Sequence, residues 1–391
     1  MTGFNWPLMK NSVTWRDKFR MLKFILGTEK YTQGEQVAKF EQEWSEWLGA
    51  KYSLFVTSGS TANFLLISAA MEKYNIKPGD KVLLPACTWM TNIAPPIQLG
   101  LTPIFCDVNL ADYSFDRKAV EKIAKKHKNI KMVFATHLLG ITAPTGYLKE
   151  LFPNAIILDD VCESHGCTDT DGSKIGSNSL GATFSFYFGH HMTTIEGGMI
   201  STNDVELYDL MRMKRSHGLA RNSLTPDYYG NLHPEIQKSF LFVTDGYNFR
   251  NNELSAVLGR SQLQRLDSFI AIRKQNYDRF FQMHAPVQDM FYPLTYQENN
   301  SCFCFPLIAK SKRIKDLLIE QLDYYKIEHR PVVGGNLLKQ PFLVNNTKIN
   351  LPICPNADII HDYGIYVGNN QFVGNAEMDL LEHVLGSLYA N

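Results

Sequence analysis

Ser185-Phe186-Tyr187-Phe188-Gly189-His190-His191-Met192-Thr193-Thr194-Ile195-Glu196-Gly197-Gly198 is the stretch on which the reading of this 391-residue chain turns. Residues 182–187 read as one strand and 199–202 as another, so a loop carrying two adjacent histidines and a glycine pair joins two strands. An unperturbed imidazole titrates near pH ~6.5, which suits it to giving and taking protons at neutrality. His190 and His191 compete for that role.

Outward from this loop, short apolar runs alternate with helical patterns. Residues 34–48 predict an amphipathic helix with Phe40, Trp44, Trp47 and Leu48 on one face. Residues 52–56 predict a strand, followed by the small-residue turn Thr57-Ser58-Gly59-Ser60-Thr61-Ala62-Asn63 and a helix to residue 71. Further strands are expected at 81–84, 103–106, 131–135 and 155–158, with helices at 117–126 and 205–216. This alternation predicts an α/β fold with a mostly parallel sheet. Beyond it come a long helix over 253–269, a strand at 303–308 and helices at 312–325 and 376–388. The expected organisation is a large domain over 1–255 and a linking helix with a smaller α/β domain over 256–391. No internal repeat or low-complexity segment interrupts it.

Composition narrows the function classes. Lys+Arg and Asp+Glu are both 39, so the balance of charge points to neither nucleic acid nor a membrane surface. No apolar run approaches the ~20 residues of a membrane span. Residues 1–10 lack the layout of a signal peptide. Seven cysteines, an odd number, suggest free thiols in a reducing, cytoplasmic setting. Cys302-Phe303-Cys304 is the one close pair, and without a second pair at ligand spacing no metal site is expected.

Several segments, in order, resemble the DegT/DnrJ/EryC1/StrS sugar aminotransferases, vitamin-B6 enzymes acting on nucleotide-linked keto sugars. The 185–198 stretch is similar to their S-F-x-x-x-K-x-x-T-x-G-E-G-G segment, with His190 in place of the lysine that holds the cofactor covalently. Leu158-Asp159-Asp160-Val161-Cys162-Glu163 resembles E-D-x-x-Q, and Gly246-Tyr247-Asn248-Phe249-Arg250 resembles G-Y-N-x-R. Residues 329–337 and 367–371 are similar to a lysine-less branch of 3-dehydratases.

The resemblance implies a fold-type-I, aspartate-aminotransferase-like large domain that binds pyridoxal 5'-phosphate or pyridoxamine 5'-phosphate. Gly59 and Ser60 would offer backbone amides to its phosphate, Ser185 a hydroxyl, and Asn248 a contact from a neighbouring subunit. Asp160 would face the pyridine nitrogen, Glu163 the ring hydroxyl and Trp89 the ring face. His217, Arg221, Arg250 and Arg330 would contact substrate or cofactor-bound glutamate. Each has a plainer reading: a helix cap at Ser60, a turn cap at Asp160, a core Trp89, a structural hydrogen bond at His217 and surface salt bridges at the arginines.

The implied reaction is glutamate-dependent removal of the C3 hydroxyl from a nucleotide-linked 4-keto-6-deoxy sugar, with His190 as the proton-transfer group. The implied assembly is a homodimer with shared active sites. Related CDP-sugar enzymes carry an iron–sulfur cluster. No matching cysteine set is present here, which favours GDP and no cluster. The nucleotide-sugar C4 aminotransferase and the non-catalytic cofactor- or sugar-binding relative are the alternatives.

Overall fold

The structure, a computed structural model, describes residues 5–390. The signal-peptide expectation therefore falls partly on residues outside those described. Among the described residues there are ten strands: β1 Tyr52–Val56, β2 Lys81–Pro85, β3 Thr102–Cys106, β4 Ile130–Thr136, β5 Ile156–Asp160, β6 Ala182–Ser185, β7 Gly198–Thr202, β8 Cys304–Ile308, β9 His329–Pro331 and β10 Gly364–Gly368. The first seven form one sheet in the order β1-β7-β6-β5-β4-β2-β3. Its pairs are parallel from β6 through β5, β4 and β2 to β3. The exception is β7, antiparallel to both β6 and β1. The mostly parallel sheet is thus observed.

Strand periodicity explains why both faces are covered. Leu54 and Val56 face one core cluster while Phe55 faces another, and Val82 and Leu84 alternate with Leu83 in the same way. The apolar stripe expected on the helix Glu35–Leu48 packs as read: Phe40 and Trp44 are wholly buried against Phe55, Phe184 and Phe186. A sheet sandwiched this way needs near-continuous apolar strands, which is how β1, β2 and β4 read.

One expectation differs from the structure. The single long helix expected over 253–269 is two helices, Glu253–Leu263 and Leu266–His284. No Gly or Pro marks the break. It coincides with tertiary ties instead: Arg265 donates to Thr14 and to the fully buried Asp17. The expected domain division between 255 and 256 falls inside the first of these helices. The N-terminal helix Trp15–Gly27, outside the expected elements, spaces Trp15, Phe19, Leu22 and Leu26 as a helical stripe, and that stripe stays exposed.

The remaining strands form a three-stranded antiparallel sheet in the order β8-β10-β9. The chain start is stitched to it. Trp6 lies beside Ile327, and its buried indole donates to the Gly368 carbonyl at 3.0 Å. The segment then runs past Leu8 and Met9 to Ser12, where Gln262 donates to the Ser12 carbonyl at 3.1 Å. Among the described residues no helix is long and apolar enough to cross a membrane.

Candidate active site

Strands β1, β2, β4, β5 and β6 run the same way, so their carboxyl ends meet at one edge of the sheet. Open α/β sheets hold ligands outside those ends. A cavity of about 460 Å³ lies there, lined by Ser58, Gly59, Ser60, Trp89, Asp160, Glu163, Ser185 and His190, and closed on other sides by Leu8, Met9, Arg273, Phe303, Arg330 and Tyr366. A larger, more open groove of about 570 Å³ beside Glu41 and Arg215 contains none of the expected site residues.

The turn after β1 supplies one wall. Ser58 caps the helix Gly59–Lys73: its hydroxyl accepts from the Thr61 amide at 3.1 Å, and the Thr61 hydroxyl accepts from the Ser58 amide at 3.0 Å. The amides of Gly59 and Ser60 have no acceptor within the helix and remain donors at its positive end. A side chain at Gly59 would stand 2.7 Å from the Ser185 Cβ, and one at Gly198 would meet the backbone of Ser58 and Gly59. Glycine at both places lets β7 and Ser185 press against the turn.

Asp160 ends β5, almost fully buried. Its carboxylate accepts from the Asn63 side chain at 2.8 Å, the Asn92 side chain at 2.9 Å and the Cys162 amide at 2.9 Å. Asn63 is itself held by the Thr183 hydroxyl, and Asn92 by Thr88. Asp160 is therefore fixed from three directions before any ligand arrives. Glu163 accepts from the Leu139 amide at 3.0 Å. Burial raises its carboxyl from 4.5 to about 7, so near neutrality it carries a proton much of the time and can donate. Trp89 follows β2 with 54% of its surface exposed at the cavity, so it is not a core residue.

The two histidines separate cleanly. His190 lines the cavity, and its Nδ1 lies 2.6 Å from the Cys162 carbonyl. A carbonyl only accepts, so Nδ1 carries the hydrogen and Nε2 keeps a lone pair. Burial lowers the imidazole from 6.5 to about 4, partly offset by the Cys162 carbonyl and Asp160. His191 is wholly buried and does not line the cavity. Its Nε2 donates to the Ser301 carbonyl at 2.9 Å, among His165 and Phe303. Between them and Gly197, Ile195 sits in the left-handed region at φ +73°, uncommon for a β-branched residue, in the turn that brings Glu196 to the cavity rim.

Four expected site residues lie elsewhere. His217, Arg221 and Asn248 are exposed, Arg250 is half-exposed, and none lines the cavity of its own chain. His217 accompanies Tyr247 in a pair of surface loops, its amide donating to the Tyr247 carbonyl at 3.0 Å. Asn248 accepts from the Arg250 guanidinium at 3.0 Å. Arg330 does line the cavity but is ion-paired with Glu328 at 2.9 Å. The sequence reading gave no role to Asn63, Asn92, Arg273 or Met9. Asn63 stood in the quoted turn, and Arg273 interrupts an apolar helix stripe; Asn92 and Met9 left no such mark.

The model of the DegT/DnrJ/EryC1/StrS aminotransferase family matches residues 15–379. The chain belongs to this family. Within the family it is similar to GDP-4-keto-6-deoxy-D-mannose 3-dehydratase of Escherichia coli, 33% identical over 97% of this chain and 99% of that one. It is 34% identical to the enzyme of the same name from Yersinia pseudotuberculosis, over 97% and 98%. A solved structure of GDP-4-keto-6-deoxymannose-3-dehydratase with a trapped PLP-glutamate geminal diamine superposes with a TM-score of 0.88 at 30% identity, covering 97% of this chain and 100% of that one. The fold is that of PLP-dependent aminotransferases: the Psychrobacter cryohalolentis aminotransferase, 22% identical, gives a TM-score of 0.86 over 100% of this chain.

The family's cofactor fits the residues present. The Gly59 and Ser60 amides with the Ser185 hydroxyl offer phosphate donors, Asp160 is a preorganised anion for a pyridinium nitrogen, and Trp89 is a free aromatic face. Among the described residues no lysine lines the cavity.

Proposed function

We propose that the protein is a glutamate-dependent 3-dehydratase of a nucleotide-linked 4-keto-6-deoxy sugar, working with pyridoxal 5'-phosphate and its pyridoxamine form. The observation that carries this reading is His190, a neutral imidazole with a free Nε2, in a cavity without lysine. The similar enzymes from Escherichia coli and Yersinia pseudotuberculosis favour GDP-4-keto-6-deoxy-D-mannose as the sugar. A GDP-linked 6-deoxy-4-keto-heptose would differ only near C6.

When bound, the cofactor supplies a protonated pyridine ring that withdraws electrons from the carbon bearing its amine. Asp160 keeps that ring protonated. Gly59, Ser60 and Ser185 hold the phosphate, Trp89 orients the ring, and Glu163 in its protonated form donates to the ring hydroxyl. His190 takes a proton on Nε2. Once protonated, it is an acid at the same place and can deliver that proton to the departing C3 hydroxyl. The overall balance closes: glutamate loses two electrons to become 2-oxoglutarate and ammonia, C3 gains two, and the water lost by the sugar equals the water used to release ammonia.

Asn248 reaches the phosphate of a neighbouring subunit in a homodimer, and His217, Arg221 and Arg250 meet substrate from the same surface. Their exposure outside their own cavity, beside exposed Phe240, Phe242 and Tyr247, supports this. Arg330 contacts the substrate at the cavity rim. The enzyme works in the cytoplasm.

Incubation with glutamate and GDP-4-keto-6-deoxy-D-mannose tests the reading. Ammonia with a 3-deoxy-4-keto sugar is expected. A stable amino sugar would instead mean a C4 aminotransferase, and no turnover a binding protein.

A further inference from the structure

Residues 214–219 and 242–249 lie side by side as a short antiparallel ribbon, in which Ser216 pairs with Asn248 and Leu219 with Phe242. The Tyr247 amide donates to the Lys214 carbonyl at 3.1 Å, the Phe249 amide to the Arg215 carbonyl at 3.0 Å and the Val243 amide to the Gly218 carbonyl at 2.9 Å. The ribbon is tight. A side chain at Gly246 would come 2.5 Å from the Lys214 carbonyl oxygen. His217 stands in the left-handed region at φ +65°, followed by Gly218 at +81°. Such a conformation at a non-glycine residue persists only where its surroundings hold it. His217, Asn248 and Arg250 project from this part of the chain, outside their own chain's cavity.

One buried cation pins the ribbon. Lys214 ends the helix Val205–Lys214 and is 3% exposed. Its ammonium pairs with Asp245 in the ribbon and, at 2.8 Å, with Glu72. The Thr244 hydroxyl donates to the same Glu72 carboxylate at 2.8 Å. Glu72 lies in the last turn of the helix Gly59–Lys73, whose first turn holds the Gly59 and Ser60 amides. Thr57, just ahead of that helix, donates its amide to the Phe249 carbonyl at 3.1 Å. The ribbon is therefore tied near both ends of this helix. Lys214 gives up its hydration, while Asp245 keeps 89% of its side-chain surface exposed. A pair of this kind adds little net stability. What it fixes is position: Asn248 follows Asp245 by three residues.

We infer that Lys214 is a positioning residue that acts across the dimer. By holding Asp245 to Glu72, it sets the ribbon so that Asn248 and His217 meet the neighbouring subunit's cofactor and substrate. This rests on the proposed homodimer with shared sites. Lys214 does not line the cavity of its own chain and acts through Asp245.

The test follows the glutamate half-reaction at limiting pyridoxal 5'-phosphate, in full-length dimers purified on two different tags. The Lys214→Met homodimer should bind the cofactor about tenfold or more weakly, and Asp245→Glu, which keeps the charge, much less so. A hybrid of a Lys214→Met chain with a His190→Asn chain should regain one working site. A hybrid of a wild-type chain with a His190→Asn, Lys214→Met chain should have none, although one chain is wholly wild type. If Lys214 serves only its own chain, these two outcomes exchange and the inference is overturned. Wild-type cofactor affinity in Lys214→Met overturns it too. If Lys214→Met does not fold, Asp245→Asn breaks the same contact from an exposed position and takes its place in both hybrids. Asn248→Ala in the same pair of hybrids tests the shared site itself. Complementation by Asn248→Ala alone would sink only the role of Lys214; complementation by neither would sink the shared site.

Discussion

His190 donates its Nδ1 hydrogen to the Cys162 carbonyl across 2.6 Å, and this bond selects the nitrogen available for chemistry. Cys162 follows Asp160 by two residues, and its amide binds the Asp160 carboxylate. One turn after β5 thus sets both the expected partner of the pyridine nitrogen and the tautomer of the base.

The absence of a cavity lysine makes the cofactor linkage testable. Borohydride treatment of the cofactor-loaded protein should leave no cofactor attached to the chain, as read by mass spectrometry. His190→Lys should create a reducible covalent link with a new absorbance band, while deoxygenation falls. Reduced cofactor on any native lysine would contradict the site geometry.

The two histidines should respond differently to asparagine. His190→Asn should fold normally and retain cofactor, and both the glutamate half-reaction and C3 elimination should slow by about 10² or more. His191→Asn disturbs a buried hydrogen bond to Ser301, so its expected cost is stability, about 1–3 kcal/mol, with much smaller kinetic change. Rapid-mixing kinetics and thermal melts on both variants check this. A larger rate loss at His191 would identify it as the base instead.

Glu163 and His190 set opposite limbs of a pH profile. Glu163 is raised to about 7, so its donor form is present below that pH and lost above it. His190 is lowered to about 4, so its base form is present above that pH. The kcat/KM profile should fall on the alkaline side as Glu163 ionises, and Glu163→Gln should flatten that limb. In folding terms the signs follow the same shifts. The stability from neutral His190 is present above ~6.5 and lost as pH falls through about 4. That from protonated Glu163 is present below 4.5 and lost as pH rises through about 7. An alkaline limb unchanged in Glu163→Gln would remove Glu163 from the profile.

Gly59→Ala puts a methyl 2.7 Å from the Ser185 Cβ and 3.0 Å from the Cys162 sulfur. Overpacking of this kind costs about 1–3 kcal/mol. Cofactor affinity should drop further than stability alone explains, because the phosphate turn itself is displaced. Titration of the apoprotein with pyridoxal 5'-phosphate measures it; wild-type affinity would show that the turn is not the phosphate site.

Asn248 links activity to assembly. Asn248→Ala should weaken cofactor binding although the residue lies outside its own chain's cavity. Mixing it with a His190→Asn chain should give hybrid dimers with one intact site, restoring partial activity. Full activity in a strictly monomeric preparation would exclude a shared site.

Much of the architecture is legible in the residues themselves. Strand β1 was bounded correctly because a mostly apolar run meets a small-residue turn, and β4, β5 and β7 came within two residues because buried strands are short apolar runs. The 57–63 turn, Asp160, Glu163 and His190, which line one cavity, could be singled out because local motifs hold them at the ends of such strands. Tertiary structure decided what no local pattern records. His190 and His191 are adjacent and chemically identical in sequence; only the Cys162 carbonyl on one side and the Ser301 carbonyl on the other separate a cavity imidazole from a core one. The break between Leu263 and Leu266 has no Gly or Pro, and coincides with ties from Arg265 to a helix some 250 residues earlier. Asn63 and Asn92 meet on Asp160 from 97 and 68 positions away. Periodicity and motif report which face of an element is buried. They do not report which distant side chain arrives there, because that depends on how the layers pack.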